Sequence, residues 1–150
     1  MINRIVLDSW AILAWLDGEP AGEMVRDILA WAGGDDNSAR RVKRRFKGLH
    51  RRPELFVNLI NLGEVLYVLT RRVGEAEARM VVGEIQAGPI EVVEVSEELV
   101  FLAASFKADL PIAYADAFAV ATAETVGGAL LTGDPELQAL TVVPLLWLGD

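Results

Sequence analysis

The sequence contains no cysteine and only one histidine, His50. The missing cysteines exclude disulfides, thiolate metal sites and cysteine nucleophiles together, and make soft-metal chemistry a poor expectation. They also suit a protein of the cytoplasm, the expected location. Aromatic residues are scarce, 7% against an apolar fraction of 53%, so a core must be built mainly from Ala, Val, Leu and Ile packed between helices and a sheet. No apolar run approaches the roughly eighteen residues needed to cross a bilayer, because Glu64 and Asp116 interrupt the two best candidates. Arg4 ahead of an apolar stretch resembles a secretory signal, but Asp8 and Asp17 break it, and folded structure from the start is expected.

What is present is one domain's worth of chain, 150 residues, read as a single unit over residues 1–150. The formal net charge of −8 argues against a polyanionic partner. That average hides an asymmetry. Eight of the fourteen basic residues (Arg40, Arg41, Lys43, Arg44, Arg45, Lys47, Arg51 and Arg52) fall in one stretch that contains no acid.

The apolar spacing predicts a strand at Ile5–Leu7, a helix from Ser9 to Leu16, and a second helix from Pro20 to about Ala32 that Gly33-Gly34 ends. Residues 35–53 form the basic segment, expected to be helical or mobile. A strand over Leu55–Leu59 leads into a strongly apolar helix to Arg72, and an amphipathic helix follows from Glu75 to Gln86. A strand over Ile90–Val95, helices to about Ala108 and over Ala113–Val126, a buried strand at Ala129–Thr132, a short helix over Pro135–Leu140 and a strand at Val142–Leu148 complete the chain. Strands alternating with helices imply an α/β fold whose parallel sheet is covered on both faces.

Four of the twenty-two acidic residues stand in apolar company. Asp8 and Asp134 follow apolar strands, at the edge where open parallel sheets bind ligands. Glu64 is the only charge from Leu59 to Thr70, and Asp116 the only one from Leu110 to Ala123. Each has a plainer explanation. Asp8 and Asp134 could cap the helices that follow them. Glu64 and Asp116 could be satisfied by Tyr67, Tyr114 or Thr122, or paired with Arg71 or Arg72. Together they are harder to dismiss, since two carboxylates 4 Å apart repel by about 4 kcal/mol at an effective dielectric near 20. A hard cation would offset this, and an all-oxygen set selects Mg²⁺ or Mn²⁺.

The strings Ile5-Val6-Leu7-Asp8-Ser9, Asn61-Leu62-Gly63-Glu64-Val65, Tyr114-Ala115-Asp116-Ala117-Phe118-Ala119-Val120-Ala121-Thr122-Ala123 and Leu131-Thr132-Gly133-Asp134-Pro135-Glu136 together resemble the serial motifs of PIN domains. The nearest likeness is to the short prokaryotic type typified by VapC toxins of toxin–antitoxin pairs. The resemblance spans nearly the whole chain. It implies a three-layer α/β/α fold with a central parallel sheet of four to five strands, and a Mg²⁺- or Mn²⁺-dependent endoribonuclease leaving 5′-phosphates. It also implies a VapB-like antitoxin and a homodimer. It carries the metal-ligand role onto Asp8, Glu64, Asp116 and Asp134, with Thr132 as a supporting hydroxyl. Trp10 stands where a small residue is expected, and Asn58 where Ser or Thr is frequent.

The basic segment could draw RNA to an acidic cleft, or dock an acidic antitoxin segment, or be a solvated loop. His50 is assigned no catalytic part, and Trp15, Trp31 and Trp147 are read as packing residues. Two rivals to the nuclease are a non-catalytic PIN-like module that binds RNA or protein, and a phosphatase using Asp8 as nucleophile.

Overall fold

A computed structural model of the protein describes residues 2–150. Strand β1 (Ile2–Leu7) is followed by helices α1 (Ser9–Leu16), α2 (Pro20–Ala32) and α3 (Asp36–Arg45). Then come β2 (Leu49–Asn58), α4 (Leu59–Val73), α5 (Glu75–Ala87), β3 (Ile90–Val93), α6 (Glu97–Asp109) and α7 (Tyr114–Val126). The chain ends through β4 (Ala129–Thr132), a 3-10 turn at Pro135–Leu137, and β5 (Leu145–Trp147). Short polar side chains set several helix starts: the carboxylates of Asp8 and Asp35, the amide oxygen of Asn58 and the hydroxyl of Ser96 each accept from a backbone N–H of the first turn.

All five strands are parallel, in the order β3-β2-β1-β4-β5. Because side chains alternate along a strand, each strand feeds both faces. Ile5, Leu7, Val57 and Leu131 point into a core shared with α1 to α5, whereas Val6, Phe56 and Leu130 meet α6 and α7. A sheet buried on both sides explains the unbroken apolar runs of β1 and β4. Helix α7 is buried from Asp116 to Ala123, and its alanines let it lie close across β1, β2 and β4. No helix is long and apolar enough to cross a membrane among the described residues.

Several expected boundaries are corrected. The second strand begins at Leu49 rather than Leu55. Leu49 is fully buried and pairs with Ile2, and the register then jumps so that Arg4 faces Glu54. Four exposed polar residues between Leu49 and Leu55 conceal that strand from a hydropathy reading. The basic segment therefore divides into helix α3 and the first part of β2. Ala39 and Val42 anchor α3 in the core, so its ordered state does not depend on its charged face. The last strand is shorter than Val142–Leu148, and Pro144, which has no N–H to give a ladder, immediately precedes it. The helix expected over Pro135–Leu140 is only a 3-10 turn ending at Leu137.

Helices α1 and α2 approach so closely that a Cβ on Gly22 would lie 2.3 Å from the Ala14 carbonyl oxygen. Gly22→Ala is expected to cost about 1–3 kcal/mol through this overlap. The urea midpoint should fall with little change in the slope of the transition; an unchanged midpoint would mean the two helices part freely.

Candidate metal centre

The strand order places a topological switch between β1 and β4: the chain runs outward from β1 through β2 to β3, then crosses by α6 and α7 to β4 on the other side. The crevice outside the carboxyl ends of such neighbouring strands is where open α/β sheets bind ligands. Asp8 leaves β1 at that edge and Asp134 leaves β4 beside it, while Asp116 sits in the first turn of α7. Glu64 lies in the second turn of α4, which starts at the carboxyl end of β2.

Each acid is held by neighbours of its own. Asp8 is 1% exposed. Its Oδ1 accepts from Ala11 N at 2.9 Å, and its Oδ2 accepts a short hydrogen bond from the Thr132 hydroxyl. That hydroxyl in turn accepts from Asp134 N at 3.1 Å. Asp134 Oδ1 accepts from Glu136 N at 3.0 Å. Both aspartates are thus helix or turn caps, and capping does not remove them from the cluster. A capping oxygen retains a further lone pair. The Glu64 Oε1 accepts from Asn61 Nδ2 at 3.1 Å, and Asp116 accepts a backbone hydrogen bond from Ala113.

None of the plainer partners reaches Glu64 or Asp116. Arg72 pairs with Asp17, Arg71 lies over the Tyr67 ring, Tyr114 packs edge-on to Phe118, and Thr122 is bonded to Asn58 and the Phe118 carbonyl. No ion pair among the described residues involves an acid of the cluster. The electrostatic result is plain. Burial, with smaller contributions from Asp116 and Asp134, pushes the Asp8 carboxyl up from the ordinary 3.8 to about 7. Burial also lifts Asp116 to about 6, helped by the charges of Asp134, Glu64 and Glu136.

Oxygens of Asp116, Asp134 and Glu136 lie within 4.8 Å of one another. Three carboxylates grouped this closely are of the ligand type and number that a hard divalent cation accepts alongside waters. The donor set is all oxygen and fits a hard divalent cation. Asp8 and Glu64 stand outside the triad, yet Asp8 feels the charges of Asp116 and Asp134, and Asp116 feels that of Glu64. Glu136 closes the fourth motif string but receives no site role from the sequence, because it is one exposed acid among many; its position two residues beyond Asp134, across Pro135, is the available signal. Asn61 escaped as well, being an ordinary polar residue in a helical pattern.

Trp10 packs against the core on the α1 side and reaches Gly133, next to Asp134. A Cβ on Gly133 would stand 2.3 Å from its ring, so the bulky residue and the glycine are matched. The phosphatase alternative fits poorly, because a nucleophilic Asp8 would have both oxygens hydrogen-bonded in a buried setting.

The basic residues are distributed rather than gathered at the acids. Arg41 forms a bidentate pair with the buried Asp27 at 2.8 and 2.9 Å. Arg45 donates to the carbonyls of Trp147 and Gly149, and the Lys43 ammonium lies 5.3 Å from the Trp31 ring centroid. Arg40, Arg44 and Lys47 are exposed and form no ion pair among the described residues. Arg51 and Arg52 lie at the amino end of β2, about 20 to 23 Å from Asn58 at roughly 3.3 Å per residue. His50 is exposed, and Trp31 and Trp147 pack as expected.

A family model described as PIN domain matches residues 5–142. Among solved structures, VapBC-1 from nontypeable Haemophilus influenzae aligns with a TM-score of 0.66 at 16% identity, over 97% of this chain and 98% of that one. The DNA-bound VapBC from Salmonella typhimurium gives 0.64 at 15%, over 97% of each chain. VapC20 from Mycobacterium tuberculosis, a sarcin-ricin loop cleaving toxin, gives 0.60 at 19%, over 93% and 99%. At these identities the likeness is one of fold. No curated protein matches the chain by sequence.

A carboxyl whose folded pKa is raised holds its proton more tightly in the native state, so its contribution to stability falls as pH rises through that value. Without divalent cations, stability should drop between about pH 4 and 7, from the ordinary carboxyl value of 3.8 up to Asp116 at about 6 and Asp8 at about 7. Asp8→Asn and Asp116→Asn should each flatten this slope and raise the melting temperature at pH 8. Parallel melting curves for variants and parent across that range would contradict the electrostatic account.

Proposed function

Since the chain belongs to the PIN-domain family, we propose that it is a divalent-metal-dependent endoribonuclease of the VapC type, restrained by a VapB-like antitoxin and working as a homodimer. The observation that carries this reading is the acidic cluster itself. Carboxylates from four separate segments meet at the sheet's switch point without a cation to neutralise them. A structural cluster would be expected to contain its own Lys or Arg, as the pairs Arg41–Asp27 and Arg72–Asp17 do elsewhere.

Asp116, Asp134 and Glu136 would hold the ion, Mg²⁺ or Mn²⁺, with Asp8 and Glu64 adding negative charge and available lone pairs. When bound, such an ion activates water and offsets the charge that develops on a phosphodiester under attack. The protein's own residues keep the site in shape. Thr132 donates to Asp8 and accepts from Asp134 N, tying β1 to the turn after β4. The half-buried Asp134 and exposed Glu136 form the outer side of the site, where a phosphate can approach. Cleavage would leave a 5′-phosphate.

RNA is the proposed substrate, and the free cations of α3 and its end are the proposed means of attracting it. Of the eight basic residues considered, Arg40, Arg44 and Lys47 are the freest, while Arg41 and Arg45 are engaged in holding α2 and the chain's last residues. Support for an antitoxin comes from the solved relatives of the same fold, several of which are VapBC complexes.

Purified protein incubated with structured RNA should cleave it with Mn²⁺, stop with EDTA, and slow by about 100-fold or more as Asp116→Asn. Binding without cleavage under every metal condition would favour a non-catalytic PIN-like module, and cleavage that persists in EDTA would refute the metal hydrolase. With the inactive Asp116→Asn protein, replacing Arg40, Arg44 and Lys47 by Ala should lower the salt slope of RNA binding by about 2, at roughly 0.7 per phosphate contact. An unchanged slope would remove these residues from the RNA path.

A further inference from the structure

Asn61, in the first turn of α4, is fully buried between the two acid-bearing helices. One hydrogen of its Nδ2 goes to Glu64 Oε1 at 3.1 Å and the other to the Ala115 carbonyl at 3.0 Å. Both partners are acceptors, so the amide must present its NH₂ to them. Ala115 immediately precedes Asp116. A single amide therefore joins the Glu64 side chain to the backbone turn that carries Asp116.

Its other end is unusual. Asn61 Oδ1 is buried and has no hydrogen-bond partner, a condition shared only with Trp147 Nε1 among the described residues. Asn58, three residues earlier and equally buried, uses both ends: its Oδ1 accepts from Ile60 N and its Nδ2 donates to the Thr122 hydroxyl. A buried acceptor without a donor calls for water or a ligand to supply one. The residue type also fits the place. A carboxylate there would add charge to a repelling cluster and donate nothing, a lysine would neutralise the field that draws a cation, and a hydroxyl could satisfy only one of the two acceptors.

We infer that Asn61 is a positioning residue of the acidic cluster, fixing Glu64 relative to the Asp116 turn through the two hydrogen bonds of its amide nitrogen. It acts through Glu64 and the α7 turn, and it rests on the metal-binding reading above.

The test is Mn²⁺ affinity, measured by calorimetry on metal-free folded protein. Asn61→Leu, which keeps the branch at Cγ but can neither donate nor accept, should weaken binding by about 10-fold or more. Asn61→Thr, with one donor left, should lose less, and it decides the matter if the leucine variant does not fold. Because Asn61 acts partly through Glu64, Asn61→Leu combined with Glu64→Gln should weaken binding by less than the product of the two separate losses. Wild-type affinity in the variants that fold, or losses that simply multiply, would overturn the inference while leaving the metal reading intact. Failure of the parent protein itself to bind Mn²⁺ would overturn both.

Discussion

Repulsion among carboxylates that no basic residue neutralises is the constraint around which this molecule is organised. Asp8, Glu64, Asp116, Asp134 and Glu136 come from both faces and two adjacent strands of the sheet; burial first, and then this repulsion, pushes Asp8 up to about 7 and Asp116 up to about 6. A chain under selection for stability alone would have no use for such a cluster, since each added buried charge works against folding. The arrangement makes physical sense when a cation completes it, which is the basis for reading it as a metal centre.

Holding the acids together requires a rigid frame, and the frame is largely apolar. The all-parallel sheet buries both faces, and α7 lies flat across three strands on a run of small residues. Against that background a few neutral polar groups do the aligning. Thr132 ties the end of β1 to the turn after β4, Asn58 ties the start of α4 to α7, and Asn61 joins Glu64 to the turn before Asp116. All three are fully buried, and none carries a charge that would weaken the field of the cluster.

The cations follow a complementary logic. Those that hold structure are paired or hydrogen-bonded: Arg41 to Asp27, Arg45 to the carbonyls of the last residues, Arg72 to Asp17. Those left exposed on α3 and on the amino end of β2 form no ion pair with the clustered carboxylates among the described residues, so the cluster keeps its negative charge. Net charge alone conceals this division.

Sequence determined a good deal by itself. Apolar runs, capping residues and alternating periods specify the order of helices and strands, because those signals are local. Four acids isolated in apolar surroundings stand out in the sequence, because an unpaired charge in such a run is costly wherever the chain goes. Tertiary structure alone decided the rest. It showed that Asp8 and Asp134 act as caps and cluster members at once, that Arg71, Arg72, Tyr67, Tyr114 and Thr122 are occupied elsewhere, and that Glu136 joins the triad. It also made Leu49 the start of a strand and Asn61 a bridge. Each of these depends on which distant residues become neighbours when the sheet forms, and hydropathy read along the chain has no access to that.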